Sequence, residues 1–172
     1  MRGWLIGVAA ATLGLTSSAS RGELSVPIAV RILAFLLPPP TGEVPAAIVF
    51  EPNNTSSLAE ASAIERAVGS GISIGNATIR TRRVPVTALD SLKGYRVAFV
   101  TTGTRADYDQ IAAVATRHGV VTITSDRSCV LTARCVVGIE NGTRVQITVS
   151  RSAARAVKAR FGSAFLMLVK EI

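Results

Sequence analysis

The only two cysteines of the chain, Cys129 and Cys135, lie in the segment SDRSCVLTARC with five residues between them. A close cysteine pair serves a metal site, a thiol–disulfide reaction or a covalent cross-link. Zinc is the weakest of these, because it needs about four ligands and the single histidine, His118, does not complete a set. Thioredoxin-type sites have two residues between their cysteines rather than five. In an oxidising compartment the pair predicts a disulfide, either structural or reducible.

The first residues, MRGWLIGVAAATLGLTSSAS, indicate the compartment that these cysteines meet. Positive Arg2 precedes an apolar run, and the small residues of segment 17–20 follow it, which is the three-part pattern of a secretory signal peptide. The apolar run is shorter than the roughly 20 residues of a membrane span. We therefore predict a signal peptide over 1–20, a single mature domain over 21–172 and a periplasmic location. A buried N-terminal helix is the alternative.

Strands alternate with helices along the rest of the chain. Apolar runs bounded by prolines, glycines or polar residues predict buried strands, and an Asn141-Gly142 turn predicts a hairpin. Amphipathic spacing and capping residues, among them a Thr104/Asp107 capping box, predict the helices. The order predicts an α/β three-layer sandwich with a mostly parallel sheet, a closing antiparallel hairpin and a C-terminal helix. The predicted strands are 44–52, 76–86 (at an edge), 95–103, 119–126, 136–140 and 145–149. The predicted helices are 24–37, 56–69 (capped by Ser56 or Ser57), 104–118 and 151–171, the last either continuous or divided at Gly162.

Three polar loops follow the predicted parallel strands: EPNNTSS, TTGTRAD and SDRSC. Ligands of open α/β sheets bind outside the carboxyl ends of the strands. Free N–H groups at helix starts also suit an anion there. The alternative is that these residues only cap helices and form turns. The predicted crevice consists of Asn53, Asn54, Thr101, Thr102, Thr104, Arg105, Asp126 and Arg127.

Catalysis has little support in the sequence. There is no G-x-S-x-G elbow, no H-E-x-x-H and no phosphate-binding glycine loop, and we predict no catalytic residue, no metal and no cofactor. The net charge of +8 suits anionic partners. Aromatic residues make up only 5% of the chain, which argues against the stacking surfaces of single-strand nucleic-acid binders, and we predict no nucleic-acid partner.

Two predicted helices carry surfaces that suit a protein or membrane partner. The first is apolar on nearly every side, including Leu33 and Leu37, which predicts either burial or contact with a partner. The last would present Arg151, Arg155 and Lys158 on one face, toward an acidic surface or simply toward solvent. A membrane protein with a periplasmic domain, or a second copy of the chain, is the partner that such surfaces allow.

The segments IAVRILAFLLPPPTGEVPAAIVFEP, GVVTITSD and CVVGIENGTRVQITVSRSAARAVKARFGSAFLMLVKEI together resemble the YfiR/HmsC-like family of exported bacterial proteins. The resemblance implies a small periplasmic α/β protein without catalysis that restrains a membrane-bound diguanylate cyclase and so affects biofilm formation. It also implies sensitivity of the Cys129–Cys135 pair to redox state. Only one cysteine pair is present, and the proline-rich opening differs from many relatives.

The sequence therefore favours a periplasmic regulatory binding protein that docks on a membrane partner. The alternative is a periplasmic small-molecule or anion-binding protein that uses the strand-end loops. An enzyme is the least favoured of the three functions.

Overall fold

The computed structural model describes residues 22–172, so the predicted signal peptide lies outside the described residues. Continuous apolar runs form the central strands because both faces of a parallel sheet are covered. The elements are α1 (Val26–Leu33), β1 (Gly42–Phe50), α2 (Thr55–Val68), β2 (Ile72–Ile74), β3 (Ala77–Pro85), a 3₁₀ segment (Val86–Leu92), β4 (Val97–Val100), a 3₁₀ turn (Arg105–Asp107), α3 (Tyr108–His118), β5 (Val121–Thr124), α4 (Arg127–Leu131), β6 (Val137–Asn141), β7 (Val145–Val149), α5 (Arg151–Ala156), α6 (Ser163–Leu166) and β8 (Lys170–Glu171).

The strands form one eight-stranded sheet in the order β2-β3-β1-β4-β5-β6-β7-β8. Neighbours from β3 to β6 run parallel, whereas β2 pairs antiparallel with β3 and β7 pairs antiparallel with β6. The last strand, β8, is parallel to β7. The predicted α/β class, the mostly parallel sheet and the closing hairpin are confirmed.

The chain reverses its direction of winding between β1 and β4. From β1 it crosses to β3 on one side, and from β3 it returns past β1 to β4 on the other side. Because parallel crossovers are right-handed, this order places α2 and α3 on opposite faces of the sheet. Helix α2 packs on β1 and β3, α1 contacts α2 and β2, and α3 packs on the 3₁₀ segment. The reversal creates a topological switch point between the carboxyl ends of β1 and β4.

Buried aliphatic and aromatic side chains on the central strands form the core between the helical layers. All four residues of β4 and all four of β5 are buried. Phe99, Ile48, Ile123 and Ile139 are fully inaccessible to solvent. This packed centre fixes the strand ends, and therefore the loops that follow them, relative to one another.

The first helix is shorter than predicted, and one of its proposed contact residues is buried. It ends at Leu33, and the chain then turns so that Leu36 forms an antiparallel bridge with Phe161. Leu33 is completely buried, so its prediction as a partner-contact residue was wrong. Leu37 is 43% exposed and stays on the surface.

The region 151–171, predicted as one helix or as helices divided at Gly162, has a helix on each side of Gly162 but is not helical throughout. Helix α5 ends at Ala156, and Lys158 has a left-handed backbone with φ 59°, which an α-helix does not continue through. Four residues of α6 and the short strand β8 follow. Arg151, Arg155 and Lys158 are all exposed, but they do not form one helical stripe because the helix stops before Lys158.

Two smaller expectations also need correction. The strand predicted at 76–86 exists as β3, but the unpredicted β2 pairs with its first residues and forms the edge there. The predicted Thr104/Asp107 capping box is absent, because the Thr104 hydroxyl donates to the Thr101 carbonyl at 2.9 Å and a 3₁₀ turn precedes α3.

Candidate functional site

The loops after β1, β4 and β5 lie side by side at the carboxyl edge, because these three strands are neighbours in the sheet. The predicted residues Asn53, Asn54, Thr101, Thr102 and Thr104 belong to the first two loops, which flank the switch point. Arg105, Asp126 and Arg127 belong to the second and third. The arrangement follows from parallel pairing, since parallel strands end at the same edge of a sheet.

A chain of hydrogen bonds joins the first two loops beneath the switch point. The Glu51 N–H donates to Ser57 Oγ at 2.8 Å, and Ser57 Oγ lies 2.7 Å from Thr101 Oγ1. The Thr101 hydroxyl donates onward to the Val49 carbonyl at 2.9 Å. Thr101 and Ser57 are fully buried, so these hydroxyls position the loops and do not face a ligand.

Asn54 and Gly103 bring the same two loops into direct contact. Asn54 Oδ1 accepts from the Ser57 N–H at 3.0 Å and thereby caps α2, the role that the sequence assigned to Ser56 or Ser57. Gly103 has φ +88°, and a Cβ added there would lie 2.7 Å from Asn54 Cγ. Glycine is therefore required at this position both by its backbone conformation and by the space available. Asn53 is exposed, and its N–H donates to Glu51 Oε1 at 2.8 Å.

A buried carboxylate, Glu60, ties together the carboxyl edge and was missed by sequence reasoning. Its Oε2 accepts from the N–H and the hydroxyl of Thr102, at 2.7 and 2.8 Å. Its Oε1 accepts from the Ser125 hydroxyl at 3.0 Å and from the Leu24 N–H at 3.3 Å. Glu60 is 4% exposed and shares the buried face of α2 with Ile64. A charged residue in register with that apolar face is the signal that could have found it.

Asp126 organises the third loop. Its Oδ1 accepts from the Ser128 N–H and hydroxyl, at 2.8 and 2.7 Å, and its Oδ2 accepts from the Tyr108 hydroxyl at 2.7 Å. Arg105 also reaches Oδ2, at 3.3 Å. Burial alone would raise the pKa of Asp126, but the hydrogen bonds from Ser128, Tyr108 and Arg105 outweigh it, and the pKa of Asp126 is lowered. The pKa of Tyr108 is raised by burial and by its bond to Asp126.

Two further carboxylates, Asp107 and Glu51, belong to the loops on either side of the switch point. Asp107 follows β4 and Glu51 follows β1, and both are partly buried. Partial burial raises the pKa of Asp107, and the nearby charge of Glu51 raises it further. In the ion pairs formed within residues 22–172, neither acid has a basic partner. Among residues 22–172, the two acids at the switch point are therefore without a counter-ion.

The disulfide predicted for Cys129 and Cys135 is present, and both residues are completely buried. The disulfide closes a short loop that contains most of α4 and lies between the third strand-end loop and β6. Arg127, at the start of α4, forms an ion pair with Glu140, with 3.8 Å between Nη1 and Oε2, so its side chain is directed away from the switch point. Across residues 22–172, no three His, Cys, Asp or Glu side chains gather as a metal site would require. The same part of the chain contains no helix long and apolar enough to cross a membrane.

Reduction of the disulfide is expected to lower the free energy of unfolding by about 2 kcal/mol, the chain-entropy value for so short a loop. Urea denaturation with and without a phosphine reductant measures this difference. The Cys129→Ala/Cys135→Ala variant is the control, because its stability must not respond to the reductant. Equal urea midpoints for oxidised and reduced wild type would show that the cross-link adds no stability.

Replacing Asp126 by asparagine is expected to destabilise the protein at neutral pH by about 1 kcal/mol, through loss of charge-assisted hydrogen bonds. Because the folded-state pKa of Asp126 is lowered, its contribution is present above the unfolded-state pKa and is lost as pH falls through the folded value. The difference in free energy of unfolding between wild type and Asp126→Asn should therefore become smaller at acidic pH. Urea titrations between neutral pH and pH ~3 measure it, with Asp90→Asn, at an exposed acid, as the matched control. A gap that stays constant over this range contradicts the assignment.

No protein-family model matches the chain, and a search of curated proteins finds no match either. Solved structures do share the fold. A substrate-binding protein with adhesive properties from Clostridium difficile, in its ligand-free open form, gives a TM-score of 0.60 at 10% identity, over 75% of this chain and 54% of its own. A conserved domain protein from Vibrio cholerae gives 0.66 at 8% identity, over 87% of this chain and 60% of its own.

A third structure, the ABC domain from Streptococcus pneumoniae in complex with L-Trp, gives a TM-score of 0.60 at 7% identity. It matches 83% of this chain and 58% of its own. The chain thus spans a little over half the length of each of these structures. At such low identities the likeness establishes the α/β fold.

Proposed function

We propose that this chain is a non-catalytic binding protein that holds a small ligand with a protonated amine at the switch point between β1 and β4. Two of the three similar structures are described as a substrate-binding protein and as a domain bound to L-Trp, an amino acid. These descriptions support the small-molecule function over the cyclase-regulator function that the sequence favoured.

The observation that carries the proposal is the pair of carboxylates, Glu51 and Asp107, at the switch point. Crevices outside the carboxyl ends of the strands, at the switch point, are where open α/β sheets bind ligands. A protonated amine there would receive charge-assisted hydrogen bonds from the two acids. Burial is the larger cause of the raised pKa of Asp107, and a bound amine would relieve the smaller one, the repulsion from Glu51.

A cationic group fits this edge better than the anion that the sequence suggested. Helix N-termini attract anions only where their N–H groups are free. Here Asn54 caps α2 and Asp126 caps α4, while the N-cap position of α3 is occupied by the acid Asp107, which makes no capping hydrogen bond. The buried Glu60 adds a further acid beside the second loop, so four of the chain's 11 acidic residues lie at this edge, among them Glu51, Asp107 and Asp126.

We expect the crevice to form one wall of the ligand site. Periplasmic binding proteins close two domains around a ligand, and this chain spans 54–60% of the length of the similar structures. A second copy of the chain, or a further domain, would provide the opposite wall. Sedimentation with and without ligand distinguishes these, because only the first doubles the mass on binding.

An exported location agrees with the buried disulfide, since disulfides persist in oxidising compartments. The periplasm remains our proposal, and the signal peptide remains a prediction. The regulatory role implied by the resemblance to the YfiR/HmsC-like family also remains a prediction. One of its proposed contact residues, Leu33, is buried.

The proposal is tested by calorimetric titration of amino acids and biogenic amines. The key comparison is between L-Trp, tryptamine and indole-3-propionate, because the last lacks the amine. A ligand present at 100 times its Kd should stabilise the protein by about 2.7 kcal/mol in a thermal-shift screen. Binding that ignores the amine, or a complete screen without any binder, would refute the proposal.

The variant Glu51→Gln/Asp107→Asn is expected to weaken amine binding at least ~10-fold, the loss of one or two charge-assisted hydrogen bonds. It should still fold well. The pKa of Asp107 is raised in the folded state, so its carboxyl contributes to stability at low pH and this contribution is lost as the pH rises through the folded-state pKa. At neutral pH the charge of Asp107 therefore does not stabilise the fold. The control Glu43→Gln/Asp90→Asn removes the same charge from exposed positions outside the crevice. Equal affinities in the two variants would exclude the acidic pair.

A further inference from the structure

A cavity of about 140 Å³ lies at the opposite, amino-terminal edge of the sheet. It is bounded by the end of α1, the proline segment 38–40, the first residues of the central strands and the segment 157–160 that follows α5. None of these elements belongs to the crevice at the carboxyl edge. The cavity therefore needs its own explanation.

The floor of this cavity is apolar and its mouth is basic. Leu33, Val97 and Val121 line the floor and are at most 5% exposed. Arg96, Lys158 and Arg160 line the mouth, and all three are exposed. Within the described chain, no acidic residue lines the cavity and none of these three cations belongs to an ion pair.

Backbone pairing holds the basic mouth over the apolar floor. The Leu37 N–H donates to the Arg160 carbonyl at 2.8 Å, and the Gly162 N–H donates to the Phe35 carbonyl at 2.9 Å. Below this bridge, Phe35 stacks on Phe165 with ring centroids 5.1 Å apart. The segment with two of the three cations is thus fastened to the segment with Leu37.

The positive charge of the three cations is larger than the negative partial charge of the neighbouring helix C-termini. Three helices, α1, α3 and α5, end beside the cavity, which their last residues or C-caps Leu33, Gly119 and Val157 line. Each helix C-terminus carries at most about half a negative charge. Three full positive charges therefore leave a surplus of roughly one and a half, which favours an anionic group at the mouth.

We propose that this cavity binds an amphiphilic carboxylate, with its hydrocarbon chain on the floor and its carboxylate among Arg96, Lys158 and Arg160. A water molecule requires roughly 10–15 Å³ of such volume, so the cavity has room for about ten heavy atoms. A straight-chain acid of about eight carbons has that size. The inference rests on the charge and the apolar lining of this cavity and does not depend on the function proposed for the crevice.

Calorimetric titration of sodium octanoate, below its micellar concentration, tests the proposal. Octanoate is expected to bind at least ~10-fold more tightly than 1-octanol, because two or more charge-assisted hydrogen bonds are lost with the alcohol. Octylammonium is expected not to bind. Equal binding of all three would show that only the apolar floor attracts ligands, and would overturn the proposal.

The variant Arg96→Gln/Arg160→Gln is expected to weaken octanoate binding at least ~10-fold, whereas Arg66→Gln/Arg144→Gln, with the same loss of charge at exposed positions away from the cavity, leaves it unchanged. Binding must persist in Glu51→Gln/Asp107→Asn, which separates this site from the crevice. Equal weakening by both arginine pairs would mean a non-specific charge effect and would overturn the proposal. If the protein sedimented with phosphatidylglycerol vesicles but did not bind free octanoate, the cations would be assigned to a lipid surface, and the proposal would also be overturned.

Discussion

Replacing Glu60 by alanine is expected to destabilise the protein by about 3 kcal/mol, and urea denaturation measures the change. The substitution leaves the Thr102 N–H and hydroxyl, the Ser125 hydroxyl and the Leu24 N–H without their acceptor. A buried donor that loses its partner costs about 1–3 kcal/mol. The combined cost of these unpaired donors therefore exceeds the free energy gained by removing a buried charge. The Glu60 carboxylate should therefore prove one of the most costly polar side chains to remove.

The control for this prediction is Glu65→Ala, five residues further along the same helix. Glu65 is exposed and pairs with Arg83 at 2.7 Å, and an exposed ion pair contributes no more than about 1 kcal/mol. Glu60→Gln should lie between wild type and Glu60→Ala, because it keeps one acceptor oxygen. If Glu60→Ala and Glu65→Ala were equally stable, the network around Glu60 would have no energetic role.

The gathering of three strand-end loops could be predicted because it depends only on parallel pairing. Each loop follows a buried apolar run, and runs of that kind imply strands that end at one edge. The partners within the site could not be predicted. The contacts of Glu60 with Thr102 and Ser125 span 42 and 65 residues, and they depend on the order of strands in the sheet, which local patterns do not specify.

In the C-terminal region the local sequence pattern predicted a helix that the structure does not form. Val157, Phe161 and Phe165 have helical spacing and are all buried, yet Phe161 pairs with Leu36 as an extended bridge. Contact with a segment far away in the chain replaced the expected helical turn, since tertiary packing outweighs helix propensity. The same contact creates the basic mouth of the cavity, which explains why sequence reasoning did not find it.

Charge is distributed unevenly between the two edges of the sheet. The carboxyl edge gathers the four acids Glu51, Glu60, Asp107 and Asp126 against two cations, Arg105 and Arg127, in a chain whose net charge is +8. The amino edge gathers Arg96, Lys158 and Arg160 around an apolar floor. A net charge alone indicated anionic partners everywhere, whereas the separation of charge assigns cationic and anionic ligands to different ends of the molecule.

Replacing Gly103 by alanine is expected to destabilise the protein by about 2–3 kcal/mol and to abolish ligand binding at the crevice. An L-residue with this positive φ costs about 1–2 kcal/mol. The new Cβ would also lie 2.7 Å from Asn54 Cγ, so the Asn54 side chain must leave its cap on α2, at a further cost of about 1 kcal/mol. Urea denaturation measures the first effect and calorimetric titration measures the second.

A double-mutant cycle separates the two causes. In the background of Asn54→Gly the clash is absent and the cap is already lost, so Gly103→Ala should cost only the backbone strain, about 1–2 kcal/mol. Gly75→Ala is the matched control, because Gly75 also has a positive φ, of +52°, but has open space around its Cβ position. If Gly103→Ala cost the same with and without Asn54, the close contact of the two loops would have no role in shaping the switch point. The crevice proposed there would then not depend on this contact.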